Sequence, residues 1–170
     1  MLLAYVIGSI AVLVGISVFF GAPYVPSHRK EIKRLLSEVI PIAEGDTLLD
    51  IGSGDGVVLR EASKRGAKAV GYEIHPLFVG ISKLASLGDS RVHIQWANAW
   101  TTPFPDSVTL VYAFSTGRDA KKLAATMQHE VDRLERQLTL VCYGNALPER
   151  STVQTSGAFF IYTFEPLHRR

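Results

Sequence analysis

The residues of this chain best suited to chemistry lie in one stretch, Leu48-Leu49-Asp50-Ile51-Gly52-Ser53-Gly54-Asp55-Gly56. Apolar residues of a buried strand lead into a glycine-rich turn, where φ > 0 is allowed and a ligand can approach the backbone closely. Asp50 stands just before the turn, at the carboxyl end of the strand, where open α/β sheets bind their ligands. The spacing is GxGxG behind an acid. It is not the GxGxxG that brings a pyrophosphate onto a helix N-terminus. A carboxylate aimed at the turn repels a pyrophosphate and suits an ammonium or sulfonium, and Asp55 adds negative potential. The same spacing argues against a nicotinamide-dependent oxidoreductase.

A second acid follows about 20 residues on, the distance at which a strand-end acid bonds ribose hydroxyls. It is Glu73, at the end of Val70-Gly71-Tyr72-Glu73. The two oxygens of a carboxylate match the two O–H donors of a diol. Together the acids ask for a nucleoside with a positively charged tail and no phosphate, which is S-adenosylmethionine. After the third strand comes Ala97-Asn98-Ala99-Trp100. Asn98 can offer both donor and acceptor to an adenine edge, while Ala99 or Trp100 packs against its face. Singly, these features also read as a tight turn, a solvated strand end, a turn former and a core aromatic. Their order at successive strand ends favours the binding reading. Gly52, Ser53 and Gly54 complete the expected cofactor contacts of Asp50, Glu73, Asn98, Ala99 and Trp100.

Such residues need a sheet to hold them. The pattern predicts strands over Thr47–Ile51, Ala69–Tyr72, Val92–Trp96, Ser107–Phe114, Leu138–Tyr143 and Ala158–Phe164, with Val153–Thr155 as a short partner of the last. Helices are expected over Val57–Arg65, stopped by Gly66, over Pro76–Leu87, closed by Gly88, and over Asp119–Leu134. Strand and helix alternate, so the class is α/β, with a mostly parallel sheet covered on both faces. The closing strands lack an intervening helix, which predicts a hairpin and one antiparallel strand at the sheet edge.

The N-terminus is a separate problem. No charged side chain occurs before His28, and Leu2–Ala22 is nearly all Leu, Val, Ile, Phe, Ala and Gly. At about 1.5 Å per residue such a helix crosses a hydrocarbon core of roughly 30 Å. Arg29, Lys30, Lys33 and Arg34 follow it with one acid among them, Glu31. Basic flanks stay on the cytoplasmic side. The expectation is a single-pass anchor over residues 1–22, with the remainder on the cytoplasmic (or matrix-equivalent) side. A cleaved signal peptide fits less well, because no basic residue precedes the run and Pro23 follows Gly21-Ala22 at once. Residues 23–43 read as a connector, Pro23-Tyr24-Val25-Pro26-Ser27, and a helix capped by Ser27 and ended by Pro41. Residues 44–170 read as the soluble domain.

Composition excludes much else. In 170 residues, 47% are hydrophobic and 20% charged, which is not the make-up of a disordered polymer. One cysteine, Cys142, gives no disulfide framework, and the five scattered histidines form no metal-binding motif, so no metal is expected. A net charge of +2 gives no argument for nucleic-acid binding.

On Asp50–Gly56 and Glu73 the sequence resembles the class I, seven-strand, Rossmann-like S-adenosylmethionine-dependent methyltransferases. Five features make the likeness narrower: the N-terminal apolar run, Pro23-Tyr24-Val25-Pro26, the Asp50–Gly56 loop, Val70-Gly71-Tyr72-Glu73-Ile74-His75-Pro76, and Asn98-Ala99-Trp100. They resemble the membrane-anchored protein-lysine methyltransferases acting on the ATP synthase c subunit and the adenine nucleotide translocase. Asn98 stands where that family usually carries Asp. The resemblance implies lysine N-methylation of a membrane-embedded or membrane-adjacent protein. The alternatives are methylation of a lipid or small hydrophobic molecule, and a non-catalytic cofactor-binding scaffold. A methyl acceptor needs an apolar channel that lowers the amine's pKa by disfavouring its charged form. Tyr24 is the first candidate to line it and act in catalysis, its other reading being an interfacial anchor. Trp100, Phe114 and Tyr143 are further candidates. His75, ahead of Pro76, reads as helix entry rather than a base.

Overall fold

The computed structural model describes residues 28–167, together with Tyr5 and Gly8. The expected span over 1–22, the Pro23–Ser27 connector and Tyr24 lie outside the described residues. Among the described residues, no helix is long and apolar enough to cross a membrane.

The strands are β1 (Thr47–Ile51), β2 (Lys68–Glu73), β3 (Val92–Trp96), β4 (Leu110–Ser115), β5 (Leu138–Gly144), β6 (Gln154–Ser156) and β7 (Phe159–Phe164). The helices are α1 (Arg29–Arg34), α2 (Val57–Ser63), α3 (Pro76–Ala85) and α4 (Ala120–Leu134). One seven-stranded sheet forms in the order β3-β2-β1-β4-β5-β7-β6. The first five strands run parallel; β7 is antiparallel to β5 and carries the three-residue β6 antiparallel on its outer side. The hairpin expected from the missing helix is therefore present, and it ends the sheet on that side. This is the mostly parallel α/β sheet that the alternation of strands and helices called for.

Strand β1 sits mid-sheet with every residue buried, which explains its unbroken apolar run around Asp50. Its alternate residues feed two cores. Leu48 joins Ile32, Leu35, Leu59, Ala62 and Val79 beneath α1, α2 and α3. Leu49 and Ile51 join Phe104, Met127 and Val131 beneath α4. On that second face no helix connects β3 to β4. Phe104 fills the place instead, held by its N–H to Glu130 Oε2 (3.0 Å) and by Arg133 Nη2 donating to its carbonyl (2.6 Å).

Two local readings are corrected. The first helix opens from His28, whose carbonyl accepts from the Glu31 and Ile32 N–H groups; Ser27, expected as its cap, lies outside the described residues. It then widens into a π-helical stretch over Leu35–Val39, in which the Ile40 N–H reaches back to the Leu35 carbonyl (2.8 Å). Pro41 has no N–H with which to continue the α-helical ladder. The fourth strand begins at Leu110 rather than Ser107. The chain turns first, with the Val108 N–H on the Pro105 carbonyl and Arg136 bonding the Asp106 and Val108 carbonyls.

Candidate functional site

The parallel register sets the site. Asp50 pairs with Gly71 and Ile51 with Tyr72, so Glu73 lies one step beyond the end of β1, level with the glycine turn. Gly52 and Ser53 donate their N–H groups to the Tyr72 carbonyl, which stitches the turn to β2. Gly54 adopts φ +52°, and its N–H donates to Glu73 Oε2 at 2.8 Å. The His75 N–H donates to Glu73 Oε1 at 2.8 Å. Glu73 is thus 5% exposed and held by a backbone donor on each oxygen. Each oxygen can accept a second bond.

Gly71 explains how the turn comes so close. A Cβ there would lie 2.5 Å from Ser53 Oγ and 2.6 Å from Leu59 Cδ1, so only glycine lets the Ser53 backbone sit on β2.

Asp50 is 3% exposed, and its situation differs from that of Glu73. Burial first, then the neighbouring Glu73 and Asp55 carboxylates, push its carboxyl well above the usual range. A carboxyl raised by burial and by like charges is relieved by a cation.

These acids face a cavity of about 280 Å³ at the carboxyl ends of the strands. Asp50, Gly52, Ser53, Gly54, Glu73, Asn98, Ala99 and Trp100 all line it, so the residues singled out from the sequence converge on one space. Asn98 is exposed at the rim, and its Oδ1 accepts the Trp100 N–H (3.0 Å), so part of its side chain shapes the turn. Trp100 is half-buried, with Lys122 Nζ 4.9 Å from its ring centroid. Of the candidates for an acceptor channel, Phe114 lines the cavity as Trp100 does. Tyr143 is not among the lining residues. Its hydroxyl donates to Glu31 Oε2 (3.1 Å), and burial and that contact hold its pKa up.

Two hydroxyls of the cavity wall stand open to a ligand. Ser53 and Ser115 both line the cavity with buried Oγ atoms that have no hydrogen-bond partner, which leaves donor and acceptor capacity for a ligand. Phe78 and Arg118 also line it. The sequence does not single out Phe78, which only the folding of loops from several strand ends brings here. Cys142 is buried, its thiol pushed up to about 12 by burial, and so it stays protonated at neutral pH. No group of three or more His, Cys, Asp or Glu able to hold a metal occurs among the described residues.

The residues present fit S-adenosylmethionine. The turn leaves a glycine cradle and an orphaned Ser53 hydroxyl, Asp50 calls for a positive group, and Glu73 keeps free lone pairs for hydroxyl donors.

A family model described as a methyltransferase domain matches residues 49–137. The human lysine N-methyltransferase of the ATP synthase c subunit is 41% identical over 61 residues, covering 36% of this chain and 25% of that protein. A protein-lysine N-methyltransferase of Saccharolobus islandicus (strain REY15A) is 40% identical over 55 residues, covering 31% of this chain and 34% of that one. The chain thus spans about a quarter to a third of these relatives. Among solved structures, an RNA methyltransferase from Salinibacter ruber in complex with S-adenosyl-L-homocysteine superposes with a TM-score of 0.72 at 20% identity, covering 86% of this chain and 96% of that one. That likeness speaks for the fold. Sheet order, cavity and family match agree: the chain belongs to the methyltransferase domain family, and its cofactor is S-adenosylmethionine.

Proposed function

We propose that this protein is a membrane-anchored protein-lysine N-methyltransferase whose acceptor is a lysine of a membrane-embedded or membrane-adjacent protein. The observation that carries the methyl-transfer reading is the pair of buried acids, Asp50 and Glu73, at neighbouring strand tips around one cavity. The lysine reading is supported by the human and archaeal relatives, which are named as lysine N-methyltransferases. The anchored reading, with the domain on the cytoplasmic (or matrix-equivalent) side, is supported by the charge-free Met1–Ser27 run and its basic flank.

When bound, S-adenosylmethionine supplies a methyl group already activated by its sulfonium. Asp50 would hold the positive end and Glu73 the ribose, with Asn98, Ala99 and Trp100 around the adenine. What remains for the protein is positioning of an unprotonated amine. Phe114 gives the cavity an apolar wall that disfavours the ammonium form. Tyr24, outside the described residues, stays the first candidate to line the acceptor channel.

The test is methyl transfer from labelled cofactor by the full chain in its host membranes, followed by protease treatment and peptide mass spectrometry. Methylated lysine in a membrane protein supports the reading. Label that survives protease and extracts into organic solvent would make it a lipid methyltransferase. Cofactor binding with no methylated product would make it a scaffold.

A further inference from the structure

Six large apolar side chains are exposed within the short stretch 74–96: Ile74, Leu77, Ile81, Leu84, Leu87 and Trp96. Their arrangement is regular. Leu77, Ile81 and Leu84 fall at i, i+4 and i+7 of α3, so they share one face. Val79 and Ser82, on the opposite face, are buried against the sheet. Leu84 is 74% exposed and Trp96 is 70% exposed. Trp96 ends the edge strand β3, and its Nε1 donates to the Ile74 carbonyl (2.9 Å), which joins the strand end to the helix entrance. The result is an inverted helix pattern, with leucines facing out over a layer that is already packed. A concentration of exposed apolar surface marks a contact site.

The exposed charges of residues 74–96 have one sign. Lys83, on the flank of the stripe, and Arg91, beyond the helix end, are exposed, and the acid of the stretch, Asp89, is turned back onto Ser63 Oγ (2.6 Å) and the Arg91 N–H (3.1 Å). An apolar stripe with a tryptophan and basic residues is the composition of a helix lying in a lipid interface.

The chain's route supplies the occupant. Helices α1, α2 and α3 cover the same sheet face, α1 packing on α2, and α3 lying outermost over β2 and β3. Two interhelical spacings of about 8–10 Å separate α1 from α3. The Pro23–Ser27 connector leads into His28 at the start of α1 and reaches at most about 18 Å when extended. A bilayer holding residues 2–22 is therefore within reach of the α3 face. Ile74, His75 and Phe78 also line the cavity, so this face borders its mouth.

We propose that the outward face of α3, continued by Ile74 and Trp96, lies on the surface of an anionic bilayer and seats the cavity mouth at the membrane. The proposal rests on the anchored reading of residues 2–22, and its test separates the two. The full chain carrying Trp100→Phe, so that Trp96 alone reports, is reconstituted in phosphatidylcholine–phosphatidylglycerol vesicles containing lipids brominated near the top of the acyl chain. Flotation reads the anchor; Trp96 emission reads the docking. The expected result is flotation, with Trp96 emission shifted to the blue and quenched. Adding Leu77→Asp and Leu84→Asp, at exposed positions that leave the core intact, keeps flotation and removes most of the quenching. Flotation with Trp96 unquenched overturns the docking and spares the anchor. Failure to float overturns both. Shielding of Trp96 only when a substrate membrane protein is added assigns the face to that protein and overturns docking on lipid.

Discussion

Replacing Asp50 by Asn should stabilise the ligand-free protein while weakening its grip on the cofactor. The carboxyl is 3% exposed, and burial, Glu73 and Asp55 all oppose its ionisation. The folded protein therefore holds this proton more tightly than the unfolded chain. The contribution to stability is complete in acid, below the ordinary carboxylate range, and is lost as pH rises through the raised pKa. Each tenfold bias towards the protonated form costs the charged form about 1.4 kcal/mol. For a chain of this size, 1 kcal/mol moves Tm by about 2–4 °C. Asn keeps the shape, removes the charge and offers N–H donors to the two neighbouring carboxylates. Ligand-free Asp50→Asn should then melt higher than wild type near neutral pH, by about 3–6 °C per tenfold of bias removed. Binding moves the other way. A hydrogen bond to a charged group is worth about 1.5–3 kcal/mol, so the Kd should rise about 10- to 150-fold. Differential scanning calorimetry across pH and titration calorimetry with S-adenosylhomocysteine measure the two effects. A lower Tm with unchanged affinity would refute the argument, because Asp50 would then be a structural acid with no ligand to meet.

Glu73→Gln should behave differently, since the Gly54 and His75 N–H groups both need an acceptor and an amide can face only one of them with oxygen. Stability should fall by about 1–3 kcal/mol and affinity should fall with it, as read by urea unfolding and titration calorimetry. Gly71→Ala brings a methyl within 2.5–2.8 Å of Ser53 and Leu59 atoms, so it should cost about 1–3 kcal/mol in urea unfolding and weaken S-adenosylhomocysteine binding by shifting the turn. For Glu61, burial pushes the carboxyl up, but Lys64 and Arg29, each at 2.7 Å, outweigh it and bring its pKa down to about 2. Its stabilisation is present above the ordinary carboxylate range and lost as pH falls towards 2, so urea midpoints of wild type and Glu61→Gln should differ at neutral pH and converge in acid.

The parts of this fold that were legible in the sequence are those decided locally. Thr47–Ile51 and Val92–Trp96 read as strands to the residue, because apolar runs bounded by turn residues leave little choice. The glycine turn and the acids around it were legible because positive φ and strand-end position are written in residue type and spacing. What escaped depends on partners distant in sequence. The late start of β4 comes from Arg136 gripping carbonyls some 30 residues earlier. Tyr143 was expected at the acceptor channel, yet Glu31, 112 residues away, takes its hydroxyl. Ser115 belongs to a segment, Ser115–Arg118, that follows no recognisable motif, and burial without a partner is what marks its hydroxyl. The helix over Pro76–Ala85 was legible, but the exposure of its leucines was not. That required knowing that β3 is an edge strand, so that α3 has no further neighbour.

The two acids of the cavity are not equivalent, and the difference gives the proposed ligand an orientation. Glu73 is satisfied before any ligand arrives, with one backbone N–H on each oxygen, and its remaining lone pairs suit neutral hydroxyl donors. Asp50 is pushed up by burial and by two like charges, and is improved most by a cation. A diol therefore belongs at the tip of β2 and a positive group at the tip of β1. In that orientation the base would point towards Asn98–Trp100, beyond β3, since that segment follows the strand on the far side of β2. Exchanging the two ends would place a cation on an acid already satisfied and leave Asp50 uncompensated in a buried site. The same order brings the positive end nearest β4, where Phe114 and Ser115 line the cavity, so the acceptor amine should approach past those two residues.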